Sequence, residues 1–183
     1  KKFYTSVRKY NCAPNSKNII YLSAKNFDGK KLDDYPSLMN HFKEYENLLR
    51  ESKIKYKTPN KPYYYLHRER DERFFSNGDK IVGGIWVVEP SFFYTNDDYY
   101  GSRALNFIKT DRINLIYLTG LLNSKLIFYW LVNKGKRLGD LLQVDKGPLL
   151  SIPIIKTDKK TQDRIVDLVN EILKLKLDIK SVA

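Results

Sequence analysis

"INLIYLTGLLNSKLIFYWLV", residues 113–132, is the stretch on which the fold class turns. Twenty residues of this kind are about long enough to cross a bilayer. Asn114, Asn123, Ser124 and Lys125 would then lie in hydrocarbon, and one lysine near the centre of a span costs about 2.5–3.5 kcal/mol. The stretch therefore reads as helix buried in a soluble protein. It divides at Leu122-Asn123-Ser124, where asparagine suits the C-terminal end of one helix and serine the N-cap of the next. Two helices meeting at an angle are expected, not one of twenty residues.

Upstream, "KNIIYLS" (17–23) is apolar and β-branched enough for a strand. From Ser37, after Pro36, "SLMNHFKEYENLLRE" sets Leu38, Phe42, Tyr45 and Leu49 on one helical face. Lys53–Pro62 reads as a basic loop. "KIVGGIWVVEPSFFYT" (80–95) reads as strand, with Gly83-Gly84 marking a bulge or sharp bend and Pro90 breaking the run. "NDDYYGSR" (96–103) is turn chemistry, and "ALNFIK" a short strand after it. Downstream, "NKGKRLGDLLQVDKGP" (133–148) reads as a glycine-punctuated basic loop, and "LLSIPII" (149–155) as an edge strand. In the last segment Ile165, Leu168, Ile172, Leu175 and Ile179 step by 3, 4, 3 and 4, a seam for helix–helix contact, which Val169 and Leu173 widen. About two heptads fit either a short coiled-coil arm or a helix packed on the core. The order of elements predicts an α+β protein: a mixed twisted β-sheet, packed helices and a C-terminal long helix. Residues 1–156 are expected to form the domain and 157–183 a spacer helix resembling a coiled coil.

The 183 residues carry 33 Lys+Arg against 21 Asp+Glu, a net charge of +12. Such a surface attracts polyanions, which makes nucleic acid the leading partner class over a charge kept for solubility. The one cysteine, Cys12, excludes an intramolecular disulfide and suits a reducing compartment. With only His41 and His67, far apart in sequence, no zinc or other metal site is expected. The beginning, "KKFYTSVRKY", has neither an initiator methionine nor an apolar signal core, so the chain reads as a fragment of something longer.

No catalytic constellation emerges. Gly83-Gly84 lies inside a strand pattern and makes no phosphate loop. Asp97-Asp98 and Glu69–Glu72 lack the lysine that a metal-dependent nuclease would need beside its carboxylates. Three regions could hold phosphates or bases. In "KPYYYLHRERDERFF" (61–75), Arg68, Arg70 and Arg73 alternate with acids. On a β-like segment Arg68 and Arg70 would share one face, with tyrosines and His67 nearby to pack on sugars or bases. The alternative is a rim of surface ion pairs worth little. Tyr99-Tyr100-Gly101-Ser102-Arg103 presents aromatics and an arginine on a turn, unless its tyrosines pack inward. Lys134, Lys136 and Arg137 are not locally neutralised, since no acid occurs between Lys125 and Arg137, and they suit phosphate contact.

Taken in order, several phrases resemble the TaqI-like C-terminal specificity domain, the target-recognition domain of type II adenine-specific DNA methyltransferases and fused restriction-modification enzymes. They are "YPSLMNHFKEYENLLRE", "YYYLHRER", "DKIVGGIWVVEPSFFYTND", "YLTGLLNSKLIFYWL" and "GDLLQVDKGPLLSIPI". The most specific piece is Leu122-Asn123-Ser124-Lys125. The final "QDRIVDLVNEILKLK" is similar to the spacer helix that follows recognition domains. One departure is tyrosine at Tyr63–Tyr65, where the family has a Trp-led phrase. The Asn-Pro-Pro-Tyr motif and methyl-donor loop of adenine methyltransferases are absent from the sequence.

The resemblance implies sequence-specific recognition of double-stranded DNA in a bacterial restriction-modification system, in the cytoplasm. A methyltransferase domain of the parent protein would be the partner. No cofactor is expected in this chain, S-adenosylmethionine being expected in that missing domain, into which the target adenine would be flipped. The expected DNA contacts are Arg68, Arg70, Arg73, Lys80, Arg103, Lys134, Lys136, Arg137 and Lys146, with no catalytic residue and no membrane partner. Two other readings are a target-recognition half of a type I specificity subunit and a module that pairs through its final helix.

Overall fold

The computed structural model describes residues 2–11 and 15–181, without the side chains of residues 15–17, 177 and 179–181. Cys12 and the side chain of Ile179 lie outside the described residues. The chain forms two compact units, Lys1–Asn18 with Glu72–Ala183 and Ile19–Asp71. The class is α+β, with its strands divided among three small sheets.

In the first unit, β1 (Lys2–Tyr4) pairs antiparallel with β2 (Asn15–Asn18) and parallel with β6 (Tyr100–Gly101). The expected strand at 17–23 is thus displaced: the ladder ends at Asn18, and Ile19–Ser23 joins no sheet. A second sheet sets β3 (Lys80–Gly84) between β5 (Phe92–Thr95) and β7 (Leu105–Ile108), both antiparallel to it. A third joins β4 (Trp86–Val87), β9 (Leu141–Gln143) and β8 (Lys136–Leu138).

The second sheet is buried on both faces, which is why β3 runs apolar from Ile81 to Gly84 without alternating with polar residues. Ile81 and Phe92 point into the larger core with Leu118, Leu122, Ile127 and Leu131. Val82, Phe93 and Leu105 point the other way onto Tyr4 of the first sheet. Gly83 is required because a Cβ there would run into the Phe92 ring. Beyond Gly84 the chain leaves this sheet and enters the third, as the glycine pair led one to expect. Ile85 sits between them, its N–H donating to the Ala104 carbonyl (2.9 Å) and its carbonyl accepting from Val144 N–H (2.7 Å).

The stretch 113–132 forms α3 (Leu115–Leu122) and α4 (Lys125–Lys134), bent by 60° at the predicted break. Asn114 Oδ1 caps α3 by accepting from the Ile116 and Tyr117 amides, and Ser124 Oγ caps α4 by accepting from Ile127 N–H. Among the described residues no single helix is long and apolar enough to cross a membrane. Two expectations fail downstream. Residues 133–148 hold the β8–β9 hairpin where a loop was expected, and 149–155 hold no strand. Lys146–Ser151 is instead a short helix, α5, and Pro153 stands outside any sheet.

The last helix, α6 (Lys159–Ser181), packs on α3 at Gly120. A Cβ at Gly120 would stand 2.8 Å from Val169 Cγ2 and 3.1 Å from Ile165 Cγ2, so only glycine admits this approach. Val169 is buried, while Leu168 and Leu175 are 52% and 54% exposed. The face that packs is therefore 165/169/172, and the heptad seam is split between core and solvent.

The second unit has α1 (Pro36–Glu44) and α2 (Glu46–Lys55) around a cluster of aromatic rings. The helix expected from Ser37 is interrupted at Tyr45, which faces outward, leaving Phe42 as the buried anchor. Lys53, expected in a loop, is instead in α2 and buried, its ammonium donating to the Tyr65 carbonyl.

Candidate nucleic-acid interface

A group of exposed cations gathers where α4 runs into the third sheet. Lys134 ends α4, and Gly135 turns the chain into β8, where any Cβ would meet the Leu131 carbonyl. Gly139, at φ +59°, and Asp140 close a two-residue hairpin into β9. Paired residues share a face, so the register fixes what each side presents. Arg137, Leu142 and Val87 form one row, of which Leu142 and Val87 belong to the core. Lys136, Gln143 and Trp86 form the next row on the opposite face, with Leu138 on the same side. Trp86 is 40% and Leu138 59% exposed.

Lys136 Nζ lies 3.7 Å from Asp145 Oδ2, which also accepts from Gln143 Nε2 at 2.7 Å. Such a half-exposed pair contributes little to stability and leaves the ammonium available to a stronger anion. Lys146 is exposed at the start of α5. Lys134, Lys136, Arg137 and Lys146 are thus all exposed, on one stretch of backbone.

The other predicted residues fare differently. Arg103 is exposed on the turn between β6 and β7, but the tyrosines beside it turn inward. Tyr100 is buried and donates to Glu72 Oε2 at 2.8 Å, and Tyr99 packs 4.9 Å from Tyr4. Arg73 is exposed on a 3-10 turn, Glu72–Phe74. Lys80 must be corrected: it is fully buried, and Nζ donates to the carbonyls of Ser76 and Gly78, both at 3.1 Å. Burial pulls its pKa below the usual lysine range, and Lys109 adds to this. Lys109 Nζ in turn reaches the carbonyls of Arg73, Ser76 and Asn77. Two ammoniums therefore tie down residues 73–78, so Lys80 holds a loop and has no access to phosphate.

In the second unit, residues 61–71 form turns and bends with no strand, so the alternation of Arg68 and Arg70 has no pleat to act on. Arg68 is exposed. Arg70 is half-buried, with its backbone clamped by Tyr21: the hydroxyl accepts from Arg70 N–H (2.7 Å) and donates to its carbonyl (2.8 Å). Burial lowers the Arg70 pKa from its usual value. Tyr64 and Tyr65 pack around Phe27, and His67 stacks on Tyr56 with ring centroids 4.0 Å apart. Lys61 pairs with Glu69 at 2.7 Å. Much of "KPYYYLHRERDERFF" is therefore packing, from which Arg68 and Arg70 emerge.

No group of three or more His, Cys, Asp or Glu side chains able to hold a metal occurs among the described residues. A groove of about 560 Å³ beside α4 is lined mainly by Leu126, Tyr129, Trp130, Pro153 and Ile155, with Asn133 and Lys134 as its polar members. Sequence reasoning missed Trp86, Leu138 and Gln143, because their common face exists only once β4, β9 and β8 are paired.

Residues 5–154 match the family model of the TaqI-like C-terminal specificity domain. The chain is 26% identical over 168 residues to the type II methyltransferase M.HincII of Haemophilus influenzae, an alignment covering 81% of this chain and 32% of that protein. Against M.HindII, from the same species, identity is 26% over 166 residues, covering 80% and 31%. The chain thus spans about a third of the length of these relatives. Its fold resembles that in a solved structure of the Type IIL restriction-modification enzyme MmeI in complex with DNA. The TM-score is 0.55 and the identity 18%, covering 83% of this chain and 21% of that one.

Proposed function

The chain belongs to the TaqI-like C-terminal specificity domain family, and we propose that it serves as the double-stranded DNA recognition domain of a bacterial restriction-modification methyltransferase. The observation that carries this reading is the exposure of Lys134, Lys136, Arg137 and Lys146, cations suited to phosphates, in a chain of net charge +12. Arg103 and Arg73 add exposed charge in the same unit. In the other unit, Arg70, whose backbone Tyr21 fixes, is the candidate base reader. Transfer of a methyl group to adenine from S-adenosylmethionine belongs, on this reading, to a catalytic domain elsewhere in the parent protein, working on DNA in the cytoplasm.

Selection of bound duplexes from a random pool tests the specificity. A defined consensus is expected. Arg70→Ala then loses about tenfold or more on the selected duplex and much less on unrelated DNA, whereas Lys146→Ala weakens both alike. A pool that yields no consensus, or equal losses for Arg70→Ala, contradicts sequence reading.

Leu168 and Leu175, exposed one heptad apart on α6, favour a second role: contact with a partner helix. Sedimentation of the chain alone tests whether that partner is another copy. A dimer lost on Leu168→Asp supports self-pairing, and a monomer at all concentrations excludes it.

A further inference from the structure

Of the exposed face of the third sheet, the phosphate contacts use Lys136 alone, and leave Leu138, Gln143 and Trp86 unused. All three residues of β8 are exposed, as are Gly139 and Asp140 at the hairpin tip. Arg137 points to the side of the core row, whereas Lys136, Leu138, Gln143 and Trp86 share the outward side. An ammonium, an aliphatic side chain, an amide and an indole are the chemistry that reads base edges: lysine for guanine, glutamine for adenine, apolar carbon for the thymine methyl. The major groove is about 12 Å wide and admits a two-stranded β-ribbon. The β8–β9 hairpin presents its β8 edge and its tip as such a ribbon, with strands about 4.8 Å apart, while β9 also pairs with β4 on its other side.

We propose that the β8–β9 hairpin enters the major groove, so that Lys136, Leu138, Gln143 and Trp86 meet base edges while Arg137, Lys134 and Lys146 hold the flanking phosphates. The inference rests on the DNA reading above and assigns it a second reading surface, apart from Arg70. Two carboxylates qualify the placement. Asp145 Oδ2 accepts from Gln143 Nε2 at 2.7 Å and lies 3.7 Å from Lys136 Nζ, a pair weak enough to give way to a nucleic-acid acceptor. Asp140, at the tip, must lie over the groove floor and away from the backbone, where an anion is tolerated only beside a base-edge donor such as the cytosine amino group.

The test uses the unaltered chain and a mixed-sequence duplex in which 5-iodouracil replaces thymine, putting the halogen at the methyl position in the major groove. Binding is followed by fluorescence anisotropy, and photocrosslinked peptides are identified by mass spectrometry. Crosslinks at Trp86 or within residues 136–143 are expected. Binding with crosslinks only elsewhere overturns the hairpin assignment and leaves the DNA reading intact. No binding of the duplex at low salt overturns both.

Discussion

Asn123 does with one side chain what a neighbouring strand does with its backbone. Its Oδ1 accepts from Phe92 N–H at 2.9 Å and its Nδ2 donates to the Phe92 carbonyl at 2.8 Å, in a buried setting. The most specific fragment of the family resemblance, Leu122-Asn123-Ser124-Lys125, is thereby explained as architecture: a core leucine, a clamp on β5, an N-cap and an outward lysine. Asn123→Ala leaves the buried Phe92 N–H without a partner, while the Phe92 carbonyl keeps the Tyr10 N–H at 3.0 Å, and should lower unfolding free energy by about 2 kcal/mol in a denaturant titration. A loss within about 0.5 kcal/mol would contradict the clamp. His67 yields a prediction in pH. Burial lowers its pKa from 6.5, and Lys53, Arg68 and Lys61 act in the same direction. Below 6.5 the unfolded chain therefore binds the proton more readily than the folded one, and stability falls as pH drops through that value. Melting temperatures between pH 5 and 7.5 should show this slope, and His67→Gln should flatten it. The break at Leu122-Asn123-Ser124 was legible because capping is local. That Asn123 reaches β5, and that Lys80 is spent on carbonyls, was not, since both depend on contacts the sequence does not display.

At the scale of elements, α6 shows how a periodic pattern can be right about the helix and incomplete about its face. Steps of 3 and 4 predict an a/d seam, but burial follows the approach of α3, which Gly120 permits at Ile165 and Val169. Val169→Ala should cost about 2 kcal/mol, and Leu168→Ala less than about 0.5 kcal/mol, in the same denaturation assay. Equal costs would mean that the seam, and not the α3 face, carries the packing. The third sheet was illegible for a related reason. Its strands are two or three residues long, and β4 lies far in sequence from the β8–β9 hairpin, so no run of alternation marks them. Residues 149–155, rich in leucine and isoleucine, misled in the other direction: a short apolar run does not by itself make a strand, and here 149–151 close α5 while 152–155 join no sheet. The long strand 80–95 was read well up to the point where Gly84 passes the chain from one sheet to another.

For the whole molecule, net charge and its placement carry the account. The sequence already indicated a polyanion partner, and the fold exposes Lys134, Lys136, Arg137 and Lys146 while burying Lys53 and Lys80. A surface of this kind should release counterions on binding DNA. The direct test is a salt titration of binding to a mixed-sequence duplex, read by fluorescence anisotropy. With about six phosphates neutralised, log K should fall against log salt with a slope near −5. No binding at low salt, or a slope close to zero, would contradict the account.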